Sequence, residues 1–165
     1  GDAWKMNFFE MLFAILVFYY CVISVLIIQK DMKVQKKLTV TRQEVKSILE
    51  EINNISCNNG VVTMDNVPWH NKYAENSEAL YGILWRYNEL AIGINMGIYD
   101  ELYVKLTLKH QMMNFYKKHY HKLLINLERD TYIDPYTNFI YLELLLKKWA
   151  TENSSYDSKR LRRYR

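Results

Sequence analysis

Helix-breaking residues are scarce: two prolines and five glycines among 165 residues, against a hydrophobic half. Such a composition favours a mainly helical chain over a disordered one. The glycines form no phosphate-cradling loop, and no serine or cysteine stands in a recognisable nucleophile context. Cysteine is nearly absent as well. Cys21 and Cys57 lie in different parts of the chain and make neither a C-x-x-C pair nor an even extracellular set, so two inert thiols in a reducing compartment are expected. No two carboxylates accompany a base, since Glu101, Glu128, Glu143 and Glu152 fall near predicted helix ends or on polar faces. His110, His119 and His121 share a predicted helix, but zinc-binding pairs need a spacing of three or four, and His119 and His121 point about 200° apart. Solvated or interfacial histidines are expected, with no metal, no cofactor and no enzymatic activity.

Charge is also missing, over one long stretch. Met11 to Ile28 reads MLFAILVFYYCVISVLII without an ionisable acid or base of the Asp, Glu, Lys or Arg kind, and Phe8 and Phe9 extend it. The positions from Phe8 to Ile28 cover roughly 31 Å as a helix, which matches a hydrocarbon core of about 30 Å. A core helix would show a polar face, whereas the only polar side chains here are Tyr19, Tyr20 and Ser24. A secretory signal would have a shorter apolar run and a small-residue cleavage site, and Ile27-Ile28-Gln29-Lys30 offers none. The sequence therefore predicts a membrane span over 8–29. Glu10 reads as an interfacial anchor at its edge, with Trp4 beside it. Met6 would serve as a start, which leaves residues 1–5 without an assigned origin.

Cations are unevenly placed around this run. Lys30, Lys33, Lys36, Lys37, Arg42 and Lys46 follow it, while Lys5 and the terminal amine precede it. The asymmetry predicts the N-terminus outside and the bulk of the chain in the cytoplasm, with Lys30, Lys33, Lys36 and Lys37 contacting lipid headgroups along a basic juxtamembrane segment, 30–40. The sequons Asn54-Ile-Ser56 and Asn153-Ser-Ser155 then meet no glycosylation machinery. Residues 30–46 hold six basic and two acidic groups and residues 151–165 five and two, so the rest of a chain of net charge +4 carries −3. No general basic surface for nucleic acid exists.

Beyond the basic segment the pattern is helical. Thr41-Arg-Gln-Glu44 reads as a capping box opening a helix lined by Val45, Ile48, Leu49, Ile52 and Ile55, which stops before Asn58-Asn59-Gly60. Residues 57–73, with Pro68, read as a loop. A helix from about Ala74 carries Leu80, Ile83, Leu84, Tyr87, Leu90, Ala91 and Ile94 to a stop at Gly97, with Trp85 on the apolar stripe and Gly93 marking close packing. Asp100 caps a helix from Glu101 to about Glu128, lined by Leu102, Leu106, Met113, Tyr116, Tyr120, Leu123, Leu124 and Leu127. Asp134-Pro135 opens the last, whose stripe is Phe139, Leu142, Leu145, Leu146 and Trp149. Most of the fourteen tyrosines are expected in a small irregular core. The expected fold is all-α: a single N-terminal transmembrane helix followed by a small cytoplasmic helical bundle of about four helices over 41–150.

The segment LAIGINMGIYDELYV at 90–104, with Asp134-Pro135-Tyr136, Asn138-Phe139 and Lys147-Lys148-Trp149, resembles the bacterial membrane-anchored family called domain of unknown function 4760 over roughly residues 8–150. The resemblance implies an N-terminal span and a cytoplasmic helical domain at the bacterial inner membrane. It brings no known activity and no catalytic residues.

The tail, 151–165, lies outside that pattern. Lys159, Arg160, Arg162, Arg163 and Arg165 place five cations in seven residues, expected to be disordered in isolation and able to bind acidic lipid, an acidic protein or nucleic-acid phosphates. The functional expectation is a membrane-anchored interaction module that recruits or senses a protein partner, or a second copy, at the inner membrane. The alternative is a self-associating membrane effector, toxin-like or part of phage defence, that permeabilises the bilayer when triggered.

Overall fold

The computed structural model describes residues 7–58, 69–131 and 138–152. Among them every regular element is helical: α1 (Phe8–Asn58), α2 (Trp69–Asn95), α3 (Glu101–Phe115), a π-helical turn (Tyr116–Tyr120), α4 (His121–Thr131) and α5 (Ile140–Thr151). The chain divides into two compact units, Gly1–Lys37 and Leu38–Arg165. The expected start at Asp134-Pro135, the loop residues 59–68, Trp4 and the basic tail lie outside the described residues.

The first unit holds the apolar stretch. α1 is long and apolar enough to cross a membrane, and none of that apolar window is buried within the chain. Phe8, Phe9, Phe13, Phe18 and Tyr20 are each more than two-thirds exposed. A soluble core helix would hide such side chains.

The predicted capping box at Thr41 does not form. No glycine or proline occurs between Asp2 and Asn59, so nothing interrupts α1, and Thr41 lies inside it. The Thr41 hydroxyl serves another helix instead. Fully buried, it accepts a hydrogen bond from the Asp100 amide at 2.8 Å. α2 begins five residues earlier than the expected Ala74, at Trp69.

The second unit buries one apolar cluster. Val45, Ile48 and Ile52 come from α1, Leu80, Leu84, Tyr87 and Leu90 from α2, Val104, Leu108, Met112 and Phe115 from α3, and Leu142, Leu146 and Trp149 from α5. Direction follows from the cross-links. Thr41 meets Asp100 while Ser47 and Glu51 meet Arg86, so α2 returns antiparallel to α1. The Arg42 guanidinium lies 5.7 Å from the Tyr103 ring centroid, which starts α3 alongside α1. Asn88 donates to the Asn138 carbonyl and the Trp85 ring lies tilted against Phe139, whereas Ile94 and Asn95 share a cleft with Lys148, so α5 runs parallel to α2. The result is an up-down-up-down bundle, with α3, the π-helical turn and α4 as its third rod.

Three expected core positions are corrected. Trp85 is 44% exposed because it lies about 100° from the edge of the α2 arc that carries Leu84, Tyr87 and Ala91. Leu49 is 39% and Leu106 is 52% exposed. Of the nine tyrosines whose side chains are described, Tyr87 and Tyr120 are buried, Tyr81, Tyr99, Tyr103 and Tyr116 rest partly buried against the core, and Tyr19, Tyr20 and Tyr141 are exposed.

Candidate interaction surface

The end of α2 is built around two glycines. Gly97 takes φ +76°, and its amide donates to the Ile94 carbonyl at 3.0 Å while that of Ile98 donates to Gly93 at 2.9 Å. This pair of bonds closes the helix. The chain then doubles back so tightly that a Cβ on Gly93 would strike the Tyr99 ring. Asp100 follows in extended conformation, and its carboxylate accepts from the Tyr103 amide at 2.9 Å to cap α3.

α5 presents three faces. Leu142, Leu145, Leu146 and Trp149 occupy the buried arc, and Glu143 and Lys147 a charged one. Ile140, Tyr141 and Leu144 fall within a further arc of about 100° and remain 45%, 42% and 56% exposed. The bundle thus covers only part of the apolar surface of α5. Tyr141 and Leu144 border a cleft of about 300 Å³ between α5 and the end of α2, where Ala91, Ile94 and Asn95 form the opposite wall. Trp85, tilted against Phe139 at 4.7 Å between ring centroids, adds an exposed ring near the start of α5. The signal was present in the sequence, since Ile140, Tyr141 and Leu144 lie off the stripe Leu142, Leu145, Leu146 and Trp149. Reading for one stripe alone passes over them.

The rim of this surface is ionic and fixed. The Lys148 ammonium bonds both oxygens of Glu101 at 2.7 and 2.8 Å, and the Trp149 indole donates to Glu101 at 3.1 Å. Lys105, buried, pairs with Glu152. On the far side Arg86 reaches Glu44 at 3.2 Å, Glu51 at 2.7 Å and Glu89 at 3.2 Å. Burial opposes that charge, but the Glu44 and Glu51 carboxylates override it and hold the guanidinium above its ordinary pKa. The Lys147 hydrogen bond at 2.6 Å holds the Glu143 carboxyl below its ordinary value, with Tyr120 as a second donor.

The histidines do not behave alike. His110 and His121 are exposed, whereas His119 is buried, its ring edge-on to Phe115 at 5.2 Å, in place of the solvated or interfacial position expected. Burial, with Lys118 and Lys122 nearby, lowers its pKa to about 4. No three histidine, cysteine or acidic side chains gather as a metal-binding group among the described residues. A groove of about 430 Å³ lies between α1 and α3, with Arg42 and Lys46 on one wall and Tyr103 and Thr107 on the other. Lys30, Lys33 and Lys36 are exposed on α1 and Lys37 is half-buried. Lys159, Arg160, Arg162, Arg163 and Arg165 lie outside the described residues.

No curated protein and no solved structure matches the chain. The sequence profile of a domain of unknown function, DUF4760, matches residues 21–149. The match runs from the middle of the apolar stretch to the tryptophan that closes the core and takes in well over half of the sequence, so the chain belongs to the DUF4760 family.

Proposed function

We propose that the protein is a membrane-anchored interaction module: α1 crosses the bilayer through Phe8–Ile28, the helical bundle stands on the cytoplasmic side, and the exposed face of α5 with its cleft receives a protein partner. The observation that carries the anchor is the apolar window of α1, none of which is buried within the chain. Burying those side chains in lipid satisfies a surface that no soluble helix of this length leaves in water. The lysines after the span set the side. The reading assigns the protein no catalysis, because the ionisable groups of the bundle that meet one another are engaged in ion pairs and caps. Aromatic and aliphatic side chains beside a cleft, with the fixed Lys148–Glu101 pair at its edge, have the composition of a recognition patch.

The test has two arms. The full chain should stay with membranes through alkaline carbonate, and Cys57, in a Cys21→Ser background, should be protected from an impermeant thiol reagent in whole cells. Labelling with membranes intact would reverse the orientation. Leu144→Arg and Tyr141→Ala should abolish capture of a partner from native membranes without changing the helical content, and undiminished capture would move the recognition face elsewhere. Overproduction should leave the membrane potential intact, and depolarisation would favour the effector reading.

A further inference from the structure

The lysines that follow the span are not spread around α1. At about 100° per residue, Lys30, Lys33, Lys36 and Lys37 fall within an arc of about 120°, while Asp31, Met32 and Gln35 occupy the other side. Lys30, Lys33 and Lys36 are exposed, and no carboxylate pairs with any of the three among the described residues. A helix that needed cations only to fix its orientation would gain as much from any azimuth. One-sided placement concentrates the field on whatever lies against that face.

Depth and side-chain direction identify the ligand. The Cα atoms of Lys30, Lys33 and Lys36 lie roughly 3, 7.5 and 12 Å beyond Ile28 along the helix axis, and the headgroup layer is about 5–8 Å thick. In a helix every Cα–Cβ bond tilts toward the N-terminus. The span is N-terminal to these lysines, so their stems lean back toward the bilayer and bring even the Lys36 ammonium to headgroup level. An acidic protein docking from the aqueous side would meet the stems from behind.

We infer that Lys30, Lys33 and Lys36, with Lys37 beside them, form a one-sided site that gathers anionic phospholipid headgroups at the end of the span. The inference rests on the reading of Phe8–Ile28 as a membrane helix and adds a lipid preference to it. Each cation near an anionic surface strengthens association about fivefold, so the local shell should differ measurably from the bulk lipid.

The full chain, reconstituted into nanodiscs of phosphatidylcholine with one-fifth phosphatidylglycerol, is released into native mass spectrometry and the retained lipids are counted. Phosphatidylglycerol should rise from one-fifth of the bulk lipid to about one-half of the retained lipid, the share that a fivefold preference gives, and raising the salt should erode the enrichment. Lys30→Gln with Lys33→Gln, Lys36→Gln and Lys37→Gln should return the shell to bulk composition. A second variant, Met32→Lys, Lys33→Gln, Gln35→Lys and Lys36→Met, keeps composition and charge but moves two cations to the opposite face, and should lose most of the enrichment. Wild-type enrichment in either variant would overturn the one-sided site, as would a wild-type shell of bulk composition. Loss of enrichment on adding inorganic phosphate at constant ionic strength would overturn the lipid as ligand in favour of a free anion. Failure of the anchor reads differently: the chain would not enter discs of neutral lipid at all.

Discussion

The close of α2 permits a test in which a substitution changes sign with its neighbour. Gly93 lies within a helix, where alanine is favoured by about 0.8–1.0 kcal/mol. The Tyr99 ring, however, rests where the alanine methyl would stand. Overpacking of this kind costs about 1–3 kcal/mol. Gly93→Ala alone should therefore destabilise the bundle by about 0–2 kcal/mol, the clash outweighing the helix preference. Tyr99→Ala removes the ring, and in that background Gly93→Ala should stabilise by about 1 kcal/mol, giving a coupling of about 1–3 kcal/mol. Gly97 supplies the control. Its φ of +76° is left-handed and nothing lies near its absent Cβ, so Gly97→Ala should cost about 1–2 kcal/mol whether or not Tyr99 is present. Urea unfolding of residues 38–165, followed by circular dichroism, measures all five variants. Equal effects of Gly93→Ala in both backgrounds would refute the argument that the tyrosine ring, and not helix closure, demands glycine there.

Trp149→Ala should cost about 3–5 kcal/mol by emptying a fully buried site, and an unchanged melting temperature would place the ring at the surface. Thr41→Val should cost about 1–3 kcal/mol by leaving the Asp100 amide without its acceptor, whereas Thr41→Ser should retain most of the stability; equal losses would assign the effect to packing. His119 has an ordinary pKa of 6.5, lowered to about 4 by burial in the fold. The unfolded chain takes up a proton that the fold refuses, so stability should be full above pH 6.5 and fall by up to about 3 kcal/mol as pH drops to 4. His119→Leu should remove that slope in urea titrations at pH 7, 5.5 and 4.5, and an undiminished slope would assign it to other groups.

The legible parts of the fold are those set by residues acting alone or by an uninterrupted repeat. The long exposed apolar helix follows from eighteen residues without a charged side chain, Gly97 from the conformation only glycine adopts freely, Asp100 from its side chain's reach to the Tyr103 amide, and the α5 core from a clean helical stripe. Capping at Thr41 was misread for a reason that is equally physical. A threonine followed three residues later by glutamate satisfies free amides only if the helix begins there, and beginning requires something upstream to end. Lys30 to Val40 contains nothing that ends a helix. The same two residues then serve tertiary structure, Thr41 holding the start of α3 and Glu44 holding Arg86 on α2. The exposed apolar face of α5 is hidden differently: its residues are apolar and near the core stripe, and only the finite width of a bundle contact leaves them uncovered.

The π-helical turn explains the remaining discrepancy. Counting back from Leu127 at the α-helical period gives Leu124, Tyr120, Met113, Leu106 and Leu102, the stripe the sequence displays. Below the turn that stripe is correct, with Tyr120, Leu123 and Leu124 buried. Above it the buried side chains are Leu102, Val104, Lys105, Leu108, Met112 and Phe115, so the expected stripe holds at Leu102 but fails at Leu106, which faces solvent. Tyr116–Tyr120 holds one residue more than an α-helical turn would, and one extra residue rotates everything upstream by about 100°. The rotation carries the face from Met113 to Met112 and from Leu106 to Lys105, which explains why a lysine is buried and a leucine is not. It also lets His119 and Tyr120, adjacent in sequence, both turn inward. Tyr116 and Tyr120 meanwhile stack at 4.5 Å, with Tyr120 bonded to Glu143 on α5. The insertion is thus anchored by specific side chains on the neighbouring helix, and a period computed along one helix contains no trace of them.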